Sequence, residues 1–333
     1  VAKNEQSKGG AVAPWADEGP IRIGISSCLL GREVRFDGGH KHDRFLTDTV
    51  GAFVEFVPVC PEVEVGMGIP RESVRLVRRG DEVRMIAERS GTDHTAAMQA
   101  WCARRVRQLE SHGLSGYVLK KGSPSCGMER VRVYAERSGM AERAGRGLFA
   151  EALLGHFVHL PVEEEGRLHD PPLRENFLER VFAYRRVSSF FTRRWTVGQL
   201  VAFHTAHKLQ LMAHSPAHYR ELGRLVAAAS GADRDGIRSR YLGLFMEGLG
   251  RKATVRRHYN VLQHIAGYVR DKVDAADRAE LHAVLDDYAA GLLPLIVPIT
   301  LVRHHVRRLG LDYLAGQVYL EPHPKELMLR NHV

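Results

Sequence analysis

Segment types alternate through the first half of this chain and then stop alternating, and that change constrains the fold more than any other feature. Three short β-branched runs, Ile21–Ser26, residues 53–59 and residues 116–119, have the length and composition of strands. Between the second and third, residues 92–112 have helical spacing, with Ala97, Trp101, Val106 and Leu109 on one side and Thr92 or Asp93 as cap. Glycines at 139, 145 and 147 precede another helical stretch, Leu148–His156. Strands separated by helices predict a parallel sheet with helices on its faces.

Residues 163–172 are charged, poor in apolar residues and closed by Pro171 and Pro172, which is linker composition. Beyond them every periodic stretch is helical. Residues 173–184 form one. Thr196 caps the next, with Leu200, Phe203, His207 and Leu211 on a face, and Ser215-Pro216 restarts a third that ends before Gly231. Further stretches run over 233–248, 254–272 and 274–290, the last capped by Asp274. The expected architecture is an α/β Rossmann-like domain over 21–162, a linker over 163–172 and an all-α domain over 173–333. Residues 1–20 have no apolar core of a signal peptide and are expected to be a flexible tail. The longest apolar stretch near the C-terminus, residues 292–302, is broken by Pro294 and Pro298 and is too short to span a bilayer. Four cysteines in 333 residues make no disulfide framework, and a cytoplasmic protein with reduced thiols is expected.

Three of those cysteines fall just past the strand runs: Cys28 after the first, Cys60 after the second, Cys126 after the third through the loop 120–125. The carboxyl ends of parallel strands share one edge, where ligands bind, so three distant thiols can converge there. Structural zinc usually takes four ligands with close Cys-x-x-Cys pairs, and thioredoxin chemistry also needs a close pair; neither is present. Iron–sulfur clusters are held by cysteine thiolates, normally four, and three leave one iron without a protein ligand, open to a soft atom such as sulfur. The competing reading is three ordinary buried cysteines. Cys102, mid-helix beside Trp101, reads as a packing residue.

The local sequences around these cysteines carry a resemblance. Ser26-Ser27-Cys28-Leu29-Leu30-Gly31 with Arg35-Phe36-Asp37-Gly38, Val57-Pro58-Val59-Cys60-Pro61-Glu62 followed by residues 66–71, and Leu119-Lys120-Lys121-Gly122-Ser123-Pro124-Ser125-Cys126-Gly127 resemble three signatures of the thiouracil desulfidase family, in order. Met67 stands where a small residue is common in that family. The second half, with Pro172-Leu173-Arg174-Glu175-Asn176-Phe177, Phe203-His204-Thr205-Ala206-His207-Lys208, Met212-Ala213-His214-Ser215-Pro216 and residues 295–301, resembles a helical family often fused to it. The fusion resembles the tRNA 4-thiouridine desulfidases, in which the helical domain is thought to bind tRNA. The resemblance implies a 4Fe–4S cluster on Cys28, Cys60 and Cys126, one iron lacking a protein ligand, and catalytic roles for Glu62 and Ser123.

Replacing C=S by C=O is net hydrolysis and needs no external electrons. Glu62, two residues past Cys60, is the expected general base, and Glu64 competes with it on spacing alone. Ser123 would hold the base or relay a proton, although Ser123 and Ser125 can equally form turn hydrogen bonds around Pro124. Asp37 and Lys121 are weaker candidates for orienting substrate. The net charge is +9, and residues 1–160 hold 23 Lys+Arg against 20 Asp+Glu, so the excess leans to the second half. Candidate RNA contacts there are Arg185, Arg186, Arg193, Arg194, Arg256 and Arg257, with Trp195 to stack on a base, although each basic run alone fits a solvated face. His204, His207 and His214 lie on an apolar helix face and suggest no second metal. The expected partner is tRNA or a thiolated pyrimidine nucleotide, with no membrane and no obligate protein partner. The alternatives are a desulfidase of free thiouracil or 4-thio-UMP, and a non-enzymatic iron–sulfur sensor that binds nucleic acid.

Overall fold

The computed structural model describes residues 19–136 and 139–333; the expected tail falls largely outside the described residues. The first half contains strands β1 (Ile21–Ser26) and β2 (Val54–Val59), the one-turn helix α1 (Pro61–Glu64), strands β3 (Val74–Arg79) and β4 (Glu82–Ala87), helix α2 (Thr95–Glu110), strands β5 (Leu114–Leu119), β6 (Val131–Ala135) and β7 (Ala141–Gly145), helix α3 (Leu148–His156) and strand β8 (Val162–Glu164). Eight helices follow: α4 (Pro171–Thr192), α5 (Val197–His214), α6 (Pro216–Ala227), α7 (Arg234–Gly250), α8 (Val255–Val269), α9 (Ala275–Ala289), α10 (Ile296–Arg308) and the short α11 (Asp312–Ala315). The architecture is a parallel α/β unit followed by an all-α region.

The main sheet runs β2-β1-β5-β8, every neighbour parallel. β5 is buried along its whole length, as an inner strand covered on both faces must be. Alternation sends Tyr117 and Leu119 toward α2 and α3, and Gly116 and Val118 toward α4. Gly116 permits that second contact: a Cβ there would sit 2.7 Å from Val181 Cγ2.

A second sheet, β4-β3-β6-β7, was not foreseen. Its β3–β4 hairpin turns at Gly80-Asp81, with Gly80 at φ +60. The linker expected over 163–172 is corrected as well. Val162–Glu164 pairs with β5, and α4 begins at Pro171, capped by Asp170 Oδ1 accepting from the Leu173 N–H at 3.0 Å. The acidic residues of this segment are buried because they are partnered: Glu163 takes the Arg167 Nε at 2.7 Å, and Glu164 takes the Met128 N–H at 2.8 Å.

In the helical region α5 is the shared wall. Its Leu200 and Phe203 join a core with α4, α6 and α7, while Leu209 and Ala213 join another with α8, α9 and α10. Thr196 caps α5 in a reciprocal capping box with Gln199. The three histidines of α5 are accounted for by packing and hydrogen bonds. His204 Nδ1 meets the Tyr241 hydroxyl at 3.2 Å, His207 Nδ1 the Phe203 carbonyl at 2.8 Å, and His214 Nε2 the buried Glu179 at 3.2 Å. Among the described residues no helix is long and apolar enough to cross a membrane.

Candidate active site

The carboxyl edge of the main sheet opens into a cavity of about 320 Å³, within the size range of small-molecule sites. Cys28, Cys60 and Cys126 all line it. Each is delivered by a strand end. After β1 the chain makes a single 3₁₀ turn carrying Cys28, stopped by Gly31 at φ +81. After β2, Cys60 is the N-cap of α1, with Pro61 at the first helical position. After β5, the loop 120–125 carries Cys126 to the amino end of α3, whose Phe149 N–H donates to the Ser125 carbonyl at 2.9 Å. Burial raises all three thiols: Cys28 to about 11, Cys60 and Cys126 upward. The Cys60 sulfur adds to the rise at Cys28, and the Cys28 sulfur to that at Cys126, as neighbouring thiolates do. Cys102 lies away from the lining, buried in the core on α2.

The two glutamates are held differently. Glu64 Oε1 accepts the Cys60 N–H at 3.0 Å and its other oxygen meets Arg105 at 3.0 Å, which ties it to the start of α1 and to α2. Glu62 lines the cavity. Its Oε2 accepts from Arg71 Nε at 3.0 Å and Nη2 at 2.5 Å, a bidentate fork, and both side chains are largely buried. Its Oε1 accepts from the Ser125 hydroxyl at 2.7 Å, which lies 2.9 Å from the Ser123 hydroxyl. Ser123 Oγ also accepts the N–H groups of Ser125 and Cys126, at 3.2 and 3.1 Å. Ser123 therefore shapes the turn and stands one hydrogen bond farther from the carboxylate than Ser125.

Arg71 and Ser125 are among the lining residues that the sequence did not single out; Arg71 closes the stretch 66–71. Its other nitrogen, Nη1, donates to the carbonyls of Val34 and Gly68, at 3.0 and 3.1 Å, so one guanidinium ties its own loop to α1 and to the loop after β1. Lys121 lines the cavity, as does Lys120, which is ion-paired with Glu165. Asp37 stands outside the lining: it is exposed, accepts the Gly39 N–H at 3.1 Å and lies 3.4 Å from Arg35.

The basic candidates of the helical region divide. Trp195 is corrected: its ring is 7% exposed, packs 5.6 Å from Phe191 and is covered by Arg234 at 5.4 Å, so it belongs to the core and is not offered to a base. Arg186 donates to the Pro322 carbonyl, and Arg257 to the His214 carbonyl at 2.8 Å, so both tie segments of the bundle together. Arg185 is half-buried, while Arg193, Arg194 and Arg256 are exposed.

Comparison with known proteins follows this division of the chain. A family model described as 2-thiouracil desulfurase matches residues 23–165, and one described as a protein of unknown function, DUF1722, matches residues 208–324. The uncharacterized protein YbgA of Escherichia coli (strain K12) is 32% identical over 158 residues, 47% of this chain and 94% of that protein. The uncharacterized protein YbbK of Bacillus subtilis (strain 168) is 32% identical over 108 residues, 31% of this chain and 71% of that protein. A solved structure described as the 4Fe-4S-dependent thiouracil desulfidase TudS is 33% identical, covering 45% of this chain and 94% of its own, with a TM-score of 0.37. The chain belongs to the 2-thiouracil desulfurase family in its first half and to the YbgA-like family in its helical half, joined in one polypeptide.

Proposed function

We propose that this chain removes sulfur from a thiolated pyrimidine by hydrolysis, C=S plus water giving C=O plus hydrogen sulfide, with 4-thiouridine in tRNA as substrate. The observation that carries the reading is one cavity lined by three cysteines from three strand ends, with a clamped carboxylate on its wall. The match to the 2-thiouracil desulfurase family supports the reaction class. The net charge of +9 and the exposed Arg193, Arg194 and Arg256 support a polyanionic partner. The reading places the reaction in the cytoplasm, where thiols stay reduced.

The donor set fits an iron–sulfur cluster on Cys28, Cys60 and Cys126. All three sulfurs are soft and line one cavity. The Tyr117 hydroxyl, fully buried and raised in part by Cys126 and Cys60, has no hydrogen-bond partner among the described residues. No three His, Cys, Asp or Glu side chains among those residues close up enough to chelate a single ion; a cluster spreads its thiolates over separate irons. When bound, such a cluster supplies a soft Lewis acid, at an iron without a protein ligand, for a thiocarbonyl sulfur.

The chain's own residues would then handle water and protons. Glu62 Oε1 has lone pairs left beyond the one that meets Ser125 and takes a proton from the attacking water. Arg71 fixes the carboxylate plane and balances its charge. Ser125 and Ser123, in hydrogen-bond contact, give that proton a route to the ring nitrogen or the departing sulfide. The test is desulfuration by the full chain, reconstituted anaerobically, of 4-thiouridine-containing tRNA and of 4-thio-UMP at matched concentration. Sulfide release with tRNA at least tenfold higher in kcat/KM is expected. A faster nucleotide would remove the tRNA assignment, and no sulfide from either substrate would favour the sensor reading.

A further inference from the structure

Next to the active cavity lies a second cavity of about 570 Å³, and Lys120, Lys121 and Gly122 line both. Its far side is the unforeseen second sheet. Six cations line it against two carboxylates, Glu129 and Glu164. Both acids are engaged, Glu129 by Arg167 at 3.1 Å and Glu164 by the Met128 N–H at 2.8 Å. Lys120 is paired with Glu165. The side chains of Lys121, Arg130, Arg132 and Arg143 have no acidic partner among the described residues.

One feature of these cations is costly unless an anion is present. Arg132 on β6 and Arg143 on β7 are direct cross-strand partners. Like charges directly opposite one another in an antiparallel pair are destabilising. Elsewhere on this sheet Arg78 pairs with Glu142 at 2.7 Å, Arg79 with Glu136 at 2.8 Å and Arg84 with Asp93 at 3.0 Å, while Arg75 lies over the Tyr134 ring at 5.1 Å. Arg132 and Arg143 face each other with no such partner, and both line the cavity. Arg130, just before β6, also holds a left-handed backbone at φ +55, which a non-glycine residue rarely adopts. Among the shared residues Lys121 lies across Gly166, where a Cβ would come 2.8 Å from Lys121 Cδ, so its stem rests against the segment after β8.

We infer that this groove is an anion subsite for the phosphate attached to the thiolated pyrimidine, with Arg132, Arg143 and Lys121 as its principal ligands. The inference rests on the desulfidase reading and deepens it, because base and phosphate then occupy neighbouring cavities that share Lys120, Lys121 and Gly122. It assigns phosphate recognition to the α/β half of the chain. Guanidinium groups suit that role, since their planar forks meet phosphate oxygens in pairs.

Calorimetry on the full chain tests the subsite without relying on turnover. The wild type is expected to bind UMP at least tenfold more tightly than uridine, and the double variant Arg132→Thr/Arg143→Thr to lose that preference. Threonine suits a strand and removes the repulsion, so the variant should melt no lower than wild type. A dinucleotide arm separates sources: tighter binding of UpU assigns a strand phosphodiester, tighter binding of UMP a terminal phosphate. A wild type that binds UMP and UpU no better than uridine, or a variant that keeps the preference, overturns the inference. In turnover, the variant's preference in kcat/KM for 4-thio-UMP over 4-thiouracil should fall at least tenfold. Absence of all desulfuration alongside an intact UMP preference would sink the desulfidase reading and leave the anion subsite standing.

Discussion

At the residue scale the account turns on how Glu62 is held. A guanidinium holds one oxygen through two nitrogens and a serine hydroxyl holds the other. Removing Arg71 would strand a mostly buried carboxylate, a loss on the order of 3 kcal/mol. Arg71→Met is therefore expected to lower the denaturation midpoint as well as the rate, while Arg71→Lys, keeping charge without the fork, should recover stability better than turnover. Ser125→Ala should lower kcat by roughly 10- to 100-fold. Ser123→Ala should act more through the turn, with a smaller kcat effect and a measurable fall in melting temperature; the reverse order would put Ser123 on the proton path. That Cys28, Cys60 and Cys126 line one cavity was legible because each follows a strand of the same parallel sheet. The contact between Glu62 and Ser125 was not, because it spans 63 residues. Trp195 was misread for the converse reason: flanking arginines mark exposure, but a ring can turn inward against Phe190 and Phe191.

At the element scale, α4 holds the molecule together. Its first half packs Phe177, Leu178 and Val181 on the main sheet, and its second half packs Val187, Phe190 and Phe191 into the bundle. Gly116→Val should cost about 1–3 kcal/mol by driving a side chain into Val181. Adding Val181→Ala should recover part of that loss, and strict additivity of the two would contradict the contact. The helices also carry a pH signature. Burial pulls His204 and His323 down to about 4, and His207 and His258 to about 3. Groups depressed in this way stabilise the fold above pH 6.5 and lose that contribution as pH falls toward 4. Glu175, pushed up to about 7 by burial beside Glu179, and His214, raised where Glu179 outweighs the effect of burial, act in the opposite sense and weaken the fold as pH rises. A thermal scan across pH should show a maximum near neutrality and a clear fall toward pH 4; a flat profile would contradict the buried histidines. Strand β1 and helix α3 were legible to the residue because their apolar pattern is undiluted. β8 was not, because its Glu163 and Glu164 are acids whose partners, Arg167 and the Met128 N–H, only the fold supplies. The Gly80-Asp81 turn between two alternating runs was a hairpin signal that went unused.

At the scale of the whole molecule the α/β unit shares a core with α4 and the C-terminal segment, which lie outside both matched ranges. The C-terminal Leu327 and Leu329 lie in the same core as Ile23, Ile25 and Cys28, and Arg330 reaches Glu175 of α4 at 3.2 Å. Cutting the chain at the former linker would strip α4 and this C-terminal strap from the sheet that carries the cysteines, so tRNA and nucleotide activities are better compared in the intact chain. The claim beneath everything else is that three strand ends jointly hold one cluster. Iron and acid-labile sulfide per chain after anaerobic reconstitution measure it directly. The account predicts about four of each for wild type and for Cys102→Ser. It predicts a loss of most of both in each of Cys28→Ser, Cys60→Ser and Cys126→Ser. Full retention in any one of those three, or a loss confined to Cys102→Ser, would contradict it.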